Sequence, residues 1–174
     1  MFNAAPAQWL QWDEHLCVRL NRTARYQPVR QVFRFISRLD NGVFWYALMG
    51  VLLAVQGATA VRAVAHMVIV GLACTVIYKC LKAKTSRPRP YQVSQAVTCN
   101  AKPLDPFSSP SGHTLHAVAF TTVALAYYPQ LSWLLIPFTF LIALSRMVLG
   151  LHYPSDVLAG FAVGITVAGL SLYF

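Results

Sequence analysis

This sequence predicts an all-α integral membrane protein: a helical bundle of about five to six spans, with an N-terminal amphipathic interfacial helix. Three observations carry that reading. Of the 174 residues, 57% are apolar and only 11% charged, against about 25% charged in an ordinary soluble domain. The mean hydropathy is +0.52, which excludes disorder and leaves too few charges to cover a small soluble domain. The apolar residues fall in stretches long enough for a bilayer, separated by short polar breaks.

Residues 1–40 form the amphipathic N-terminal segment. Arg19, Arg22, Arg25, Arg30, Arg34 and Arg38 interrupt it, so it does not read as a span. After Pro28, the positions Val29, Val32, Phe33 and Ile36 keep helical spacing, while Arg30, Arg34 and Arg38 recur on another face. This is the pattern of a basic helix lying on a bilayer, and it equally allows packing against the spans. Trp9 and Trp12 suit the interface. A further crossing is left open, as is whether residues 1–40 cross the bilayer. No basic region followed by an apolar run marks a signal peptide.

Residues 41–174 form the membrane-embedded domain. No charge appears between Asp40 and Arg62, and Val43 to about Val55 is the heart of the first span. The polar break Gln56-Gly57-Ala58-Thr59 allows a turn. The second span runs from about Ala60 to Cys80, with Arg62 and Lys79 near its ends, free to snorkel. Lys82 to Pro110 is polar, Pro-rich and irregular. The third span starts near Ser111 and is closed by Pro129. The fourth covers about Leu131 to Leu149, with Pro137 expected to kink it. The fifth runs from about Asp156 to Phe174. Each is expected to reach about 17–21 residues. Five crossings gather segment 1–40, the 82–110 loop and the 150–155 turn at one face.

The net charge of +9 would suggest nucleic acid in a soluble chain. Here the basic residues flank apolar stretches and no basic-aromatic reader motif is present. Anionic headgroups or a phosphorylated substrate fit better than nucleic acid. Cys17, Cys74, Cys80 and Cys99 have neither zinc spacing nor a disulfide framework. Cys74 and Cys80 read as packing residues.

Three polar clusters meet at that face. The first is Lys82-Ala83-Lys84-Thr85-Ser86-Arg87-Pro88-Arg89-Pro90, which could also simply hold lipid phosphates. The second, Pro110-Ser111-Gly112-His113, opens a helix. Ser111 is a natural N-cap, Gly112 lets a ligand approach the backbone, and the free N–H groups favour an anion beside His113. In the third, Ser145-Arg146 ends one span, His152 lies in the turn and Asp156 starts the next span. A carboxylate beside an imidazole fixes its tautomer and supports a positive ring, as a nucleophilic histidine requires. Together the clusters suit in-line phosphoryl transfer without a metal.

Lys82 with Arg89-Pro90, then Pro110-Ser111-Gly112-His113, then Ser145-Arg146 with His152 and Asp156 resemble the three-part signature of the type 2 phosphatidic acid phosphatase superfamily, in order and spacing. The resemblance implies that His152 attacks phosphorus to form a phosphohistidine and that Asp156 orients it. His113 would protonate the leaving oxygen and then activate water. Lys82, Arg89 and Arg146, with Ser111 and the Gly112 N–H, would hold the phosphoryl oxygens. It implies no metal and no cofactor. The implied substrate is a lipid phosphate or diphosphate, with undecaprenyl diphosphate favoured. Phosphatidic acid, phosphatidylglycerol phosphate and a lipid A phosphatase or phosphotransferase activity are the alternatives. Ser109 stands where compact bacterial members often carry a bulkier residue, and Lys79 or Lys84 could share the work of Lys82. A membrane scaffold binding anionic lipid would account for the basic runs but not for His113, His152 and Asp156.

The resemblance implies a multi-pass protein of the bacterial inner membrane with its site at the outer face. Against this, 13 of the 14 Lys and Arg residues fall at the motif face, which the positive-inside rule would turn inward. Oligomeric state is not legible. His116 reads as a packed histidine before it reads as half of a metal pair, and His66 as an interhelical hydrogen-bonding group. His15 and Glu14 read as surface groups, Asp105 as a group that caps the 82–110 loop or closes it over the site, and Tyr127 and Tyr128 as an interfacial belt.

Overall fold

The computed structural model describes residues 7–103 and 105–173. Residues 1–6, at the start of the amphipathic segment, and Phe174, at the end of the fifth expected span, lie outside them, as does Leu104. Among the described residues the secondary structure is entirely helical. The N-terminal segment forms α1 (Ala7–Thr23) and α2 (Gln27–Arg38), two helices where one was expected. The Thr23-Ala24-Arg25-Tyr26 turn separates them, and Pro28 sits at the start of α2, where its missing N–H costs nothing. A π-turn at Leu39–Val43 follows, bent at Asn41 and at Gly42 with φ +108°. It leads into α3 (Phe44–Gln56). A 3₁₀ turn at Gly57–Ala60 reverses the chain into α4 (Val61–Thr85). After the short α5 (Pro90–Val93) and a loop come α6 (Gly112–Tyr127), α7 (Ser132–Val148) and α8 (Pro154–Ser171).

Among the described residues, three stretches, Gln27–Val93, Pro129–Val148 and Pro154–Ser171, contain helices long and apolar enough to cross a bilayer. Two expected spans come out short: α3 has 13 residues and α6 has 16. The reason for α6 is its position. It packs against α4, α7 and α8, and Leu115, Ala117, Ala119, Val123 and Ala124 are all 0% exposed. A helix sheathed by its neighbours need not match the bilayer by itself.

The α6–α8 contact is the tightest in the bundle. A Cβ on Gly160 would fall 2.5 Å from the Ser111 carbonyl oxygen, and one on Gly164 would fall 2.5 Å from that of Leu115. Small residues one turn apart let the two backbones touch. The same contact lets the Ser111 N–H donate to the Asp156 carbonyl at 3.0 Å, which ties the second cluster to the third.

α1 packs on α7 and α8, and α2 on α7, so the amphipathic segment is docked on the bundle. Asn21 of α1 is the anchor: its amide donates to the carbonyls of Thr98 and Val148, and its oxygen accepts the Thr98 N–H. Trp9 and Trp12 remain exposed.

Several side chains depart from expectation. α4 continues past Cys80 to Thr85, because no breaker intervenes until Ser86 takes a left-handed conformation. Lys82 is therefore a helical residue in the last turn. Cys80 faces outward while Cys74 is buried, since six residues along a helix turn the side chain about 240°. Tyr127 and Tyr128 are no interfacial belt. Tyr128 is buried, and the Tyr127 hydroxyl pairs with His66 Nδ1 at 3.0 Å, whose Nε2 reaches Ser171. Pro137 lies inside α7, which runs through it as one element.

Candidate active site

The polar end of the bundle encloses a cavity of about 390 Å³. Its walls include Lys82, Arg89, Gly112, His113, Arg146 and His152 from the three sequence clusters, together with Asp40, Asn41, Lys102 and Asp105. Seventy residues separate Lys82 from His152, and local chain geometry at each terminus closes the gap.

Lys82 and Arg89 come from the end of α4 and the N-cap of α5. The Lys82 ammonium donates to both carboxylate oxygens of Asp105 at 2.7 Å and to the Phe107 carbonyl at 3.1 Å. Arg89, 2% exposed, donates from Nη1 to the Leu151 carbonyl at 2.7 Å, from Nη2 to Asp105 Oδ1 at 3.2 Å and from Nε to the Asp105 carbonyl at 3.1 Å. Its Nη1 also lies 3.4 Å from His152 Nε2. Burial raises the Asp105 carboxyl, but the hydrogen bond and charge of Lys82, with Arg89, overcome it and hold the group below the usual carboxylate range. Lys79 and Lys84 are exposed and away from the cavity.

His152 is positioned by the end of α7. Gly150 takes φ +75°, which lets the N–H groups of Leu151 and His152 both reach back to the Arg146 carbonyl. A Cβ there would fall 2.5 Å from the Thr98 carbonyl oxygen, so glycine is needed for space as well as for torsion. Pro154 then opens α8, and Asp156 caps its first turn by accepting the Tyr153 N–H at 2.9 Å. His152 Nδ1 stands 3.8 Å from Asp156 Oδ2 and has no hydrogen-bond partner among the described residues. Burial pushes the His152 imidazole down to about 4; facing Asp156 opposes the fall, while Arg89 and Lys82 add to it. The ring is therefore neutral at neutral pH, with Nε2 directed towards Arg89.

Asp156 is fully buried and held from three sides. Arg87 Nη1 donates to Oδ1 at 2.7 Å, and Oδ2 accepts from Tyr153 N–H and from the Ser108 hydroxyl. Arg87 is gripped in turn by Asp13 of α1 at 2.7 Å and lies over the Tyr153 ring. Asp13 also accepts the Ser155 N–H at 2.9 Å.

From the other wall, His113 enters on the first turn of α6, where Ser111 is the N-cap. Its Nε2 pairs with Asn41 Oδ1 at 2.9 Å. The Ser111 hydroxyl is committed to Thr114, at 3.0 Å from Oγ1 and 3.5 Å from the backbone nitrogen. Ser111 lies outside the cavity lining, and its N–H is committed to the Asp156 carbonyl. Gly112 lines the wall beside Tyr78. Arg146 is 1% exposed, and its Nη2 has no partner among the described residues. A buried donor without an acceptor, aimed into a cavity, fits an anionic ligand oxygen. His116 is a packed histidine: Nδ1 meets the Gly112 carbonyl and Nε2 meets Thr75.

Sequence reasoning missed six contributors: Asp13, Asp40, Asn41, Arg87, Lys102 and Ser108. Asp40-Asn41-Gly42 did carry a signal, as an acid and a turn pair ending an amphipathic helix. Arg87 lay inside the first cluster without a role. Nothing local marked Asp13, whose partners are 74 and 142 residues away.

The chain matches the PAP2 superfamily over residues 59–174. It is 32% identical over 130 residues to undecaprenyl-diphosphatase BcrC of Bacillus subtilis (strain 168), covering 74% of this chain and 67% of the relative. It is 28% identical over 140 residues to an undecaprenyl-diphosphatase of Sulfolobus acidocaldarius, covering 79% and 66%. The chain thus spans about two thirds of the length of these relatives. The crystal structure of Aquifex aeolicus LpxE superposes with a TM-score of 0.79 at 27% identity, over 92% of this chain and 94% of that one. That of a PAP2 type phosphatidylglycerolphosphate phosphatase from Bacillus subtilis superposes with 0.76 at 23% identity, over 98% and 87%, a likeness of fold.

Proposed function

We propose, from the premise that this chain belongs to the PAP2 superfamily, that it is a membrane lipid phosphatase whose substrate is undecaprenyl diphosphate, cleaved to undecaprenyl phosphate and phosphate. The names of the relatives BcrC and the Sulfolobus acidocaldarius diphosphatase support that substrate. One observation carries the chemistry: a neutral, buried His152 backed by Asp156 opens into a cavity walled by Lys82, Arg89 and Arg146, with His113 opposite.

In this reading Arg89, Lys82, Arg146 and the Gly112 N–H bind the phosphoryl oxygens, whose charge they balance as the transition state spreads it. The His152 Nε2 lone pair forms the P–N bond while the bond from phosphorus to the bridging oxygen breaks. His113 gives its proton to that oxygen, which leaves as undecaprenyl phosphate. The imidazole ring becomes positive in the phosphohistidine, and Asp156 offsets that charge. His113 then removes a proton from water, the water oxygen attacks phosphorus, and the P–N bond electrons return to His152. The cationic side chains supply the charge that a metal would otherwise bring, so activity is expected to persist in EDTA.

Residues 1–40 act as an interfacial segment docked on the 41–174 domain. We place the protein in the bacterial inner membrane with the cavity at the outer face. Cys99 is exposed at that face, so an impermeant maleimide should label it in intact cells; labelling only after lysis places the site inside. The functional test is phosphate release from a panel of lipids in detergent: undecaprenyl diphosphate, phosphatidic acid, phosphatidylglycerol phosphate and lipid A. Fastest release from one of the other three reassigns the substrate. His152→Ala releasing phosphate at the parent rate removes the enzyme reading.

A further inference from the structure

We propose that Asp105 is a specificity-determining residue: an internal anion seated on the phosphoryl-binding cations, which substrate must exchange with in order to bind. The inference rests on the phosphatase reading above. It begins with a count of donors. An ammonium has three N–H donors, and Lys82 already has three acceptors, the two Asp105 carboxylate oxygens and the Phe107 carbonyl. Arg89 commits Nη2 and Nε to Asp105 and Nη1 to Leu151. A phosphoryl group therefore cannot take the Lys82 donors while Asp105 holds them.

The position is also that of a ligand. Arg89 bridges the two species, with Nη2 on Asp105 Oδ1 and Nη1 3.4 Å from His152 Nε2. The carboxylate thus sits one guanidinium width from the attacking nitrogen, where a reacting phosphoryl group must lie. Its own loop presents it there, since the Phe107 N–H donates to Oδ1 at 3.1 Å. The side chain of Asp105 is 29% exposed, against 7% for Lys82 and 2% for Arg89. The anion is the member that water reaches, and the cations are the buried ones. Arg146 Nη2 stands unpartnered in the same cavity, a donor that an incoming oxygen can engage before Asp105 leaves.

Exchange has two consequences. Buried cations stripped of counter-charge are costly, and the swap keeps them compensated before and after binding. It also selects by charge. A phosphate monoester, at about −1.5 to −2 near neutral pH, gains less over the carboxylate it replaces than a diphosphate, which brings more charge and more acceptor oxygens. Asp105 thereby favours a diphosphate ester over a monoester and weakens rebinding of the released phosphate.

The test is binding of inorganic phosphate to the purified full chain in detergent by titration calorimetry, comparing the parent with Asp105→Asn, Asp105→Ser and Asp105→Glu. Asp105→Asn and Asp105→Ser should bind phosphate about ten-fold more tightly, near 1.4 kcal/mol, and Asp105→Glu should stay close to the parent. The ratio of kcat/KM for undecaprenyl diphosphate over a polyprenyl monophosphate should fall in the two neutral variants. The serine variant and the melting temperatures guard against one substitution that fails to fold. Unchanged or weaker phosphate binding in both neutral variants overturns the proposal, because the carboxylate would then organise the cations instead of competing for them. The two readings fail separately. Tighter phosphate binding without hydrolysis of any lipid overturns the phosphatase and keeps the exchange, and hydrolysis with unchanged phosphate binding does the reverse.

Discussion

Asp156→Asn separates charge from shape at the point where both are needed. The substitution keeps the side-chain outline, so its effect on chemistry is the loss of a carboxylate 3.8 Å from His152 Nδ1. At an effective dielectric constant near 20, two unit charges at that separation interact by about 4 kcal/mol. That interaction is absent while the ring is neutral and present once it becomes a cationic phosphohistidine, so it acts on the barrier. Phospho-enzyme formation should slow by about 10³-fold. A second effect falls on stability. Both carboxylate oxygens accept only from donors: Arg87 Nη1 on one, Tyr153 N–H and Ser108 O–H on the other. Whichever way the amide is turned, its NH₂ meets a donor, and a buried pair left unmade costs about 1–3 kcal/mol. Rapid-quench measurement of acid-labile phospho-enzyme reads the first effect, and thermal unfolding in detergent reads the second. A variant that forms phospho-enzyme within ten-fold of the parent rate would refute the electrostatic argument, even if it melts earlier.

Three more outcomes follow from the same geometry. His113→Asn should lower turnover by about 10²–10⁴-fold, the usual worth of a general acid, in phosphate-release assays with undecaprenyl diphosphate; a loss of less than ten-fold counts against its role. Because the His152 imidazole titrates near 4 when folded and near 6.5 as a free group, the unfolded chain takes up the proton first. The stability His152 contributes should be complete above about pH 6.5 and decline as pH falls towards 4, and His152 should add no acid limb to the rate of phospho-enzyme formation until pH approaches 4; an acid limb centred at 6.5 in the rate profile contradicts this. Gly160→Ala places a methyl 2.5 Å from the Ser111 carbonyl oxygen, which should destabilise by about 1–3 kcal/mol and displace His113 from His152; a variant with unchanged melting temperature and turnover shows that α6 and α8 have slack.

The apolar composition and the charge-free stretches placed α3, α4, α7 and α8 to within a few residues, because a bilayer imposes a demand on composition that local sequence must meet. The same demand placed α6 as closely, expected from about Ser111 to Pro129 and observed at Gly112–Tyr127; what local sequence could not show is the set of neighbours that sheathe it. The sequence clusters named Lys82, Arg89, Gly112, His113, Arg146 and His152, and all six line one cavity. They were legible because glycine, proline and capping residues around them are short-range signals. Asp13 was not, since it acts through side-chain contacts across at least 74 residues.

From the sequence alone came the membrane class, the helical architecture and the kinds of group that can transfer phosphate, because hydropathy, spacing and side-chain chemistry are properties of residues and their near neighbours. Only the tertiary structure decided that Arg87 links Asp13 to Asp156, that the Ser111 hydroxyl serves its own helix, and that Asp105 rests on Lys82 and Arg89. These are choices among competing partners for one donor or one charge, and distance in the folded chain is what settles such a competition.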